Sequence, residues 1–144
     1  MKASELMIGD WVECTYWTPS KQLKVAEIRR IMDEEIKIGV YCDDLVLIFR
    51  QSEVKPIPLT QEILKKNGFI YDDNWHISWI EVGNYRIDVS FDYDGKVNYI
   101  EITEQGKGFS IPSEREILYL THIKYVHELQ HALKLCKIEK EIEL

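Results

Sequence analysis

His127-Glu128-Leu129-Gln130-His131 carries the residue types and spacing of a hydrolytic zinc helix, in which two imidazoles hold the ion and a glutamate activates water. Positions four apart on a helix lie roughly 40° apart around the axis and about 6 Å along it, so both rings can reach one tetrahedral ion. Glu128 would stand beside them as general base. A site of this type needs a third protein ligand. Where the extended motif has a glycine and a third histidine, this chain has Lys134 and Lys137. The thirteen residues after His131 are too few for a second helix to bring back Glu139, Glu141 or Glu143. His76, His122, Asp72 and Asp73 remain as upstream donors, with no motif behind them.

The helix that must position this segment has its own apolar stripe. Leu129, Leu133, Cys136 and Ile123 fall close to Val126 around the axis, whereas His127 and His131 fall on a flank shared with Lys124 and Lys134. Two ammonium groups on that flank oppose a dication unless they turn outward. The pattern therefore predicts a solvated or rim helix face that happens to spell the motif, with no metal and no cofactor. Zinc held by His127 and His131, with Glu128 as base, is the alternative.

The chain has 144 residues, enough for one sizeable core or two small ones, and 45% of them are hydrophobic. A net charge of −7 opposes bulk attraction to phosphate backbones, so nucleic acid is an unexpected partner. Arg29-Arg30 with Lys21 and Lys24 is the one candidate basic patch, and it reads as a charged strand edge that discourages aggregation. Cys14, Cys42 and Cys136 are three, with no C-x-x-C spacing, which suits a reducing compartment. Met1-Lys2-Ala3-Ser4-Glu5 opens no apolar leader, and no run approaches the ~20 apolar residues needed to span a bilayer. The expectation is a cytoplasmic protein without membrane contact.

Pro56-Ile57-Pro58 separates two halves. Residues 1–58 contain five short stretches rich in Val, Ile and aromatics: Asp10 to Trp17, Lys24 to Ile31, Ile36 to Tyr41, Leu45 to Phe49, and Glu53 to Ile57. They read as strands of a small barrel. Gly9-Asp10-Trp11-Val12 resembles the opening strand of SH3-like barrels. Residues 59–144 open on a helix that Thr60 caps, with Leu59 and Leu64 as a staple and Asn67-Gly68 as the stop. Period-two alternation follows: Trp75, Ile77 and Trp79 share one face, and Tyr85, Ile87, Val89, Phe91 and Tyr93 share another. Gly83-Asn84 and Asp94-Gly95 are predicted hairpin turns, the second of type I′. Val97 to Thr103 and Phe109 to Ile111 complete a meander of about four strands, and a helix from near Thr121 to Cys136 ends the unit.

Two further groups of residues bear on binding. Asp92-Tyr93-Asp94-Gly95 has the start of a calcium loop but not the ligand spacing that should follow, and it reads as a turn. Among the many aromatics, Trp11, Tyr16 and Trp17 form a candidate binding surface on the barrel, although aromatics at strand period also fill cores.

Four blocks occur in order along the chain: Leu6-Met7-Ile8-Gly9-Asp10-Trp11-Val12, Pro56-Ile57-Pro58-Leu59-Thr60, Ile63-Leu64-Lys65-Lys66-Asn67-Gly68-Phe69, and Lys124-Tyr125-Val126-His127-Glu128-Leu129-Gln130. Together they resemble a family of small uncharacterised proteins from gut anaerobic bacteria, often carried on phage or other mobile elements. The resemblance spans nearly the whole chain and implies no established activity. Family members keep the Tyr-Val-His and Leu-Gln pairs, but often have Gln at the position of Glu128 and Asn at that of His131. The resemblance thus implies that the zinc pattern is particular to this chain, and that His127 and Gln130 make a helix-to-sheet hydrogen-bond contact. Lys137 stands where the family tends to have a helix-ending glycine.

The sequence thus predicts an α+β protein, with an SH3-like β-barrel over 1–58 followed by a helix, an antiparallel meander and a helix over 59–144. Its expected function is a non-enzymatic protein-interaction module of phage or mobile-element origin, binding an unknown protein partner. A zinc-dependent hydrolase and a nucleic-acid accessory protein are the alternatives.

Overall fold

A computed structural model describes residues 6–15, 21–31, 35–42, 45–105 and 115–144. The chain divides into two compact units: one comprises the residues up to Pro58 with Tyr125–His127, the other Leu59–Lys124 with Glu128–Leu144. Each holds a five-stranded antiparallel sheet, and two helices complete an α+β fold.

In the first unit the strands are β1 (Trp11–Cys14), β2 (Lys21–Ile31), β3 (Glu35–Cys42), β4 (Leu45–Arg50) and β5 (Val54–Pro56), and a 3-10 turn at Gln51–Glu53 precedes β5. The sheet order is β4-β3-β2-β1-β5. β2 serves two neighbours: Lys21 to Lys24 pair with β1, and from Val25 onward the strand pairs with β3, with a register break between Val25 and Glu27. A strand that changes partner at a bulge curls its sheet, as a small barrel requires. Alternation sends Val12, Cys14, Val25, Ile38, Val40, Phe49 and Val54 into one cluster. The turn before β1 is fixed by Asp10, which is fully buried and accepts a 2.6 Å hydrogen bond from the Met7 N–H on Oδ2. Thr18-Pro19-Ser20, whose composition marks a turn between the first two apolar stretches, lies outside the described residues.

The second unit opens on α1 (Gln61–Lys66), whose N-terminus is capped as expected by Thr60 Oγ1 accepting from the Ile63 N–H. Five strands follow: β6 (Ile70–Asp72), β7 (Ile77–Val82), β8 (Tyr85–Phe91), β9 (Val97–Gln105) and β10 (Arg115–His122), in the order β10-β9-β8-β7-β6. One sheet face carries Ile87, Val89, Ile100 and Ile102, all fully buried. Leu64, Leu129, Ala132 and Leu133 are buried in the same unit.

Several local expectations are corrected here. The sheet has five strands rather than about four: β6 at Ile70–Asp72 and β10 at Arg115–His122 both lie where no strand was expected, the second in an apolar run with no clear period. Thr121 therefore belongs to a strand, and the last helix, α2, spans Val126–Leu135. The predicted strand at Phe109 to Ile111 lies outside the described residues. Trp75 sits exposed in the turn between β6 and β7 instead of on the face of a strand. Asp94-Gly95 is not a type I′ pair, since Gly95 alone of the two has positive φ. A longer loop closes instead through Gly95 N–H to Asp92 O and Lys96 N–H to Asp92 Oδ1, so the Asp92 carboxylate works as a turn clasp.

Candidate functional site

Helix α2 begins where the chain is stitched on both sides. In the first unit Val126 N–H donates to Ile57 O at 2.9 Å and Tyr125 bridges Pro58. In the second, Leu59 N–H donates to Lys124 O at 2.9 Å. No serine, threonine, aspartate or asparagine stands before Val126 to cap the first turn. Glu128 instead reaches back to the chain entering the helix: its Oε2 accepts a 2.6 Å hydrogen bond from the N–H of Lys124, two residues before the first turn.

His127 is 4% exposed, and its ring stacks on that of Tyr125 at 5.8 Å with the planes 13° apart. The expected solvated or rim placement is therefore corrected for His127 alone: on the same flank His131 is half-buried and Lys124 and Lys134 are exposed. The wheel gave the direction of the ring but not the depth of the neighbours around it. Gln130 and His131 are half-buried on the same helix. Chemically, Glu128 is held by a backbone amide and His127 by an aromatic stack.

Three of the four possible third ligands, His76, His122 and Asp72, are engaged locally. His76 Nδ1 lies 3.3 Å from the Tyr71 hydroxyl, and His122 Nδ1 lies 3.2 Å from both the carbonyl and the side-chain oxygen of Asn98. Asp72 Oδ1 accepts from the Asn74 N–H. Among the described residues no group of three or more His, Cys, Asp or Glu side chains converges to hold a metal ion.

Of the three aromatics expected on the barrel surface, Trp11 is placed and Tyr16 and Trp17 lie outside the described residues. Trp11 points away from the buried Val12 and Cys14, and Lys24 Nζ sits 5.1 Å from its ring centre, a cross-strand cation–π pair.

A different surface went unread in the sequence. Leu45-Val46-Leu47-Ile48-Phe49 has five apolar residues in succession, and a strand can send only alternate ones inward. Phe49 is buried and Leu47 half-buried, while Val46 and Ile48 face out beside Tyr41, which is opposite Val46. With Leu45 at the strand end, these side chains are 43–66% exposed. Gly39, opposite Ile48, adds no side chain to this surface and is itself buried. The run length was the signal that could have found it.

No protein-family model matches this chain, and no curated protein is detectably similar to it. Among the described residues no helix is long and apolar enough to cross a membrane.

Proposed function

We propose that this chain is a non-enzymatic protein-interaction module, whose first unit takes an extended segment of a partner protein against β4. The observation that carries the reading is the apolar terminal strand: Leu45, Val46 and Ile48 stand exposed beside Tyr41, and β4 pairs with β3 alone among the described strands. A terminal apolar strand is a template for another chain, and proteins that must stay single protect such edges with charge, proline or bulges. Added main-chain hydrogen bonds would supply affinity, and the exposed side chains of Tyr41, Val46 and Ile48 would receive alternate side chains of the segment.

The strand order β4-β3-β2-β1-β5, the shared β2 and the 3-10 turn before β5 support an SH3-like barrel, a scaffold used for peptide recognition. Mobile-element origin rests on the ordered sequence blocks alone. The test is selection of eight-residue peptides from a random displayed library, followed by hydrogen exchange on the bound protein. Selected peptides should protect the amides of Leu45–Arg50 and lose binding to Val46→Lys/Ile48→Lys, which faces solvent and should fold normally. Failure to select any peptide, or a footprint away from β4, would overturn the reading.

A further inference from the structure

Where the second sheet ends at β6, a groove of about 530 Å³ runs between that strand and α1. Glu62 and Lys65 of the helix line it on one side, and Phe69, Tyr71 and Ser78 on the other. Tyr71 stands directly across from Ser78, and Ser78 across from Val89, so both side chains lie on the face that carries the core. All of these residues belong to the second unit, and the chain around them is described without a break from Leu59 to Glu104. β6 and β10 are opposite edges of the sheet.

Three features of the groove point to a ligand. Ser78 is 1% exposed, yet its hydroxyl has no hydrogen-bond partner among the described residues. A buried hydroxyl left in this state costs stability until water or a ligand supplies the partner. Phe69 and Tyr71 add an aromatic wall, and the Tyr71 ring is held edge-on against Phe91 at 5.7 Å with its hydroxyl 3.3 Å from His76 Nδ1. At the rim, Glu62 and Lys65 stand one helical turn apart and make no ion pair among the described residues. The Glu62 backbone N–H and then the Thr60 hydroxyl hold the Glu62 carboxyl below the usual carboxylate range, so it is ionised at neutral pH. An apolar wall with a few convergent polar groups, in a volume of about 300 to 1,000 Å³, is the usual form of a small-ligand site.

The opposite charges at the rim select the class of ligand. A molecule with only a carboxylate would face Glu62, and one with only an amine would face Lys65, whereas a zwitterion meets both with the right sign. Side chains one turn apart have Cβ atoms about 5 to 6 Å from each other. The termini of an extended dipeptide, at ~3.3 to 3.6 Å per residue, lie roughly 7 Å apart and match that span. We infer that the groove binds a free dipeptide with apolar side chains: its ammonium at Glu62, its carboxylate at Lys65, a side chain on Phe69 and Tyr71, and its peptide group on the Ser78 hydroxyl. The inference does not rest on the reading of β4, which belongs to the first unit.

Titration of the full chain with leucyl-leucine, its N-acetyl form and its C-terminal amide, followed by amide NMR shifts, tests it. The free dipeptide should bind at millimolar concentration or below and shift the amides of Phe69 to Asp72 and of Ser78, and blocking either terminus should weaken it. Ser78→Ala removes a hydroxyl that has no partner in the fold, so it should fold normally and weaken binding about fivefold. Lys65→Gln should weaken it about two- to fivefold. Lys55→Gln, which removes the same charge from an exposed position on β5, should leave it unchanged. The inference is overturned by absence of binding, by equal binding of the blocked forms, by equal losses in Lys65→Gln and Lys55→Gln, by unchanged binding in Ser78→Ala, or by shifts that fall outside the groove.

Discussion

The carboxylate of Glu128 accepts a 2.6 Å hydrogen bond from the backbone N–H of Lys124, four residues earlier. Lys124 precedes helix α2 by two residues, so this bond ties the incoming chain to the first turn, and the carboxylate sits at the positive end of the helix dipole, where an anion is stabilising. Glu128→Ala should therefore cost about 1 kcal/mol in urea unfolding, whereas Glu128→Gln, which keeps an acceptor, should cost less than half of that. Equal losses in the two variants would show that charge alone matters.

The same bond bears on the zinc pattern. A general base must be able to reach a metal-bound water, but Glu128 is turned back along the chain and His127 is closed against Tyr125. Protein purified without chelator should hold well under one zinc per chain by elemental analysis, and EDTA should leave Tm unchanged. Stoichiometric zinc that His131→Ala removes would restore the hydrolase reading.

Both helices end in the same way with different residues. Phe69 N–H bonds to Leu64 O and Gly68 N–H to Lys65 O after α1; Ile138 N–H bonds to Leu133 O and Lys137 N–H to Lys134 O after α2. These are Schellman endings, and each puts its turning residue in the left-handed region: Gly68 at φ 84°, Lys137 at φ 56°. For lysine that conformation costs roughly 1 kcal/mol, which glycine avoids. Lys137→Gly should raise stability by about 0.5 to 1 kcal/mol in urea unfolding, less the added freedom of glycine in the unfolded chain. A decrease would mean that the Lys137 side chain contributes more than its backbone costs.

Local rules made Thr60, Asn67-Gly68 and the alternation of Ile87 and Val89 legible, because each depends on residues a few positions apart. His127 is buried with its ring stacked on Tyr125, beside a Val126 whose amide is bonded to Ile57, distant in sequence, and a helical wheel has no term for such partners. β10 was missed for a related reason: Glu116 to Leu120 has neither a helical nor a strand period, and only pairing with β9, bulge included, decides it. The surface of β4 was open to view, since five successive apolar residues cannot all be inside. Glu62 and Lys65 could be placed on one helix face by their spacing, but the meeting of Tyr71 with Ser78 beside them needed the register between β6 and β7.

Burial, and after it the neighbouring Cys42, Glu13 and Glu53, push the Cys14 thiol up to about 11. In the unfolded chain an ordinary thiol ionises near 8.5. Between these values the unfolded state binds fewer protons, so stability contributed by the neutral thiol is complete below about pH 8.5 and is lost as pH rises toward 11. The loss is at most about 1.4 kcal/mol per pH unit from this group. Urea unfolding under reducing conditions at pH 8 to 10.5 should show a shallower decline for Cys14→Ala than for the parent chain. Parallel declines would remove Cys14 as a cause. At pH 8 a thiol reagent should modify the half-buried Cys42 and Cys136 before Cys14.

Asn67 fastens the last residues of the second unit to α1. Its side-chain amide donates to Ile63 O at 2.8 Å and to Glu143 O at 2.7 Å, and its Oδ1 accepts from Glu143 N–H at 2.8 Å. The paired bonds to Glu143 imitate one rung of a strand ladder, and Ile138 and Ile142 are buried in the segment they secure. Lys66 Nζ also bonds to Leu144 O. At about 1 kcal/mol net for each bond, with part of the loss recovered through water, Asn67→Ala should cost roughly 2 kcal/mol. Asn67→Asp keeps the acceptor for Glu143 N–H but sets a carboxylate against two carbonyl oxygens, so it should cost at least as much. The Glu143 amide should exchange faster in both variants. Slow exchange of that amide in Asn67→Ala would show that burial of Ile138 and Ile142 alone holds the segment in place.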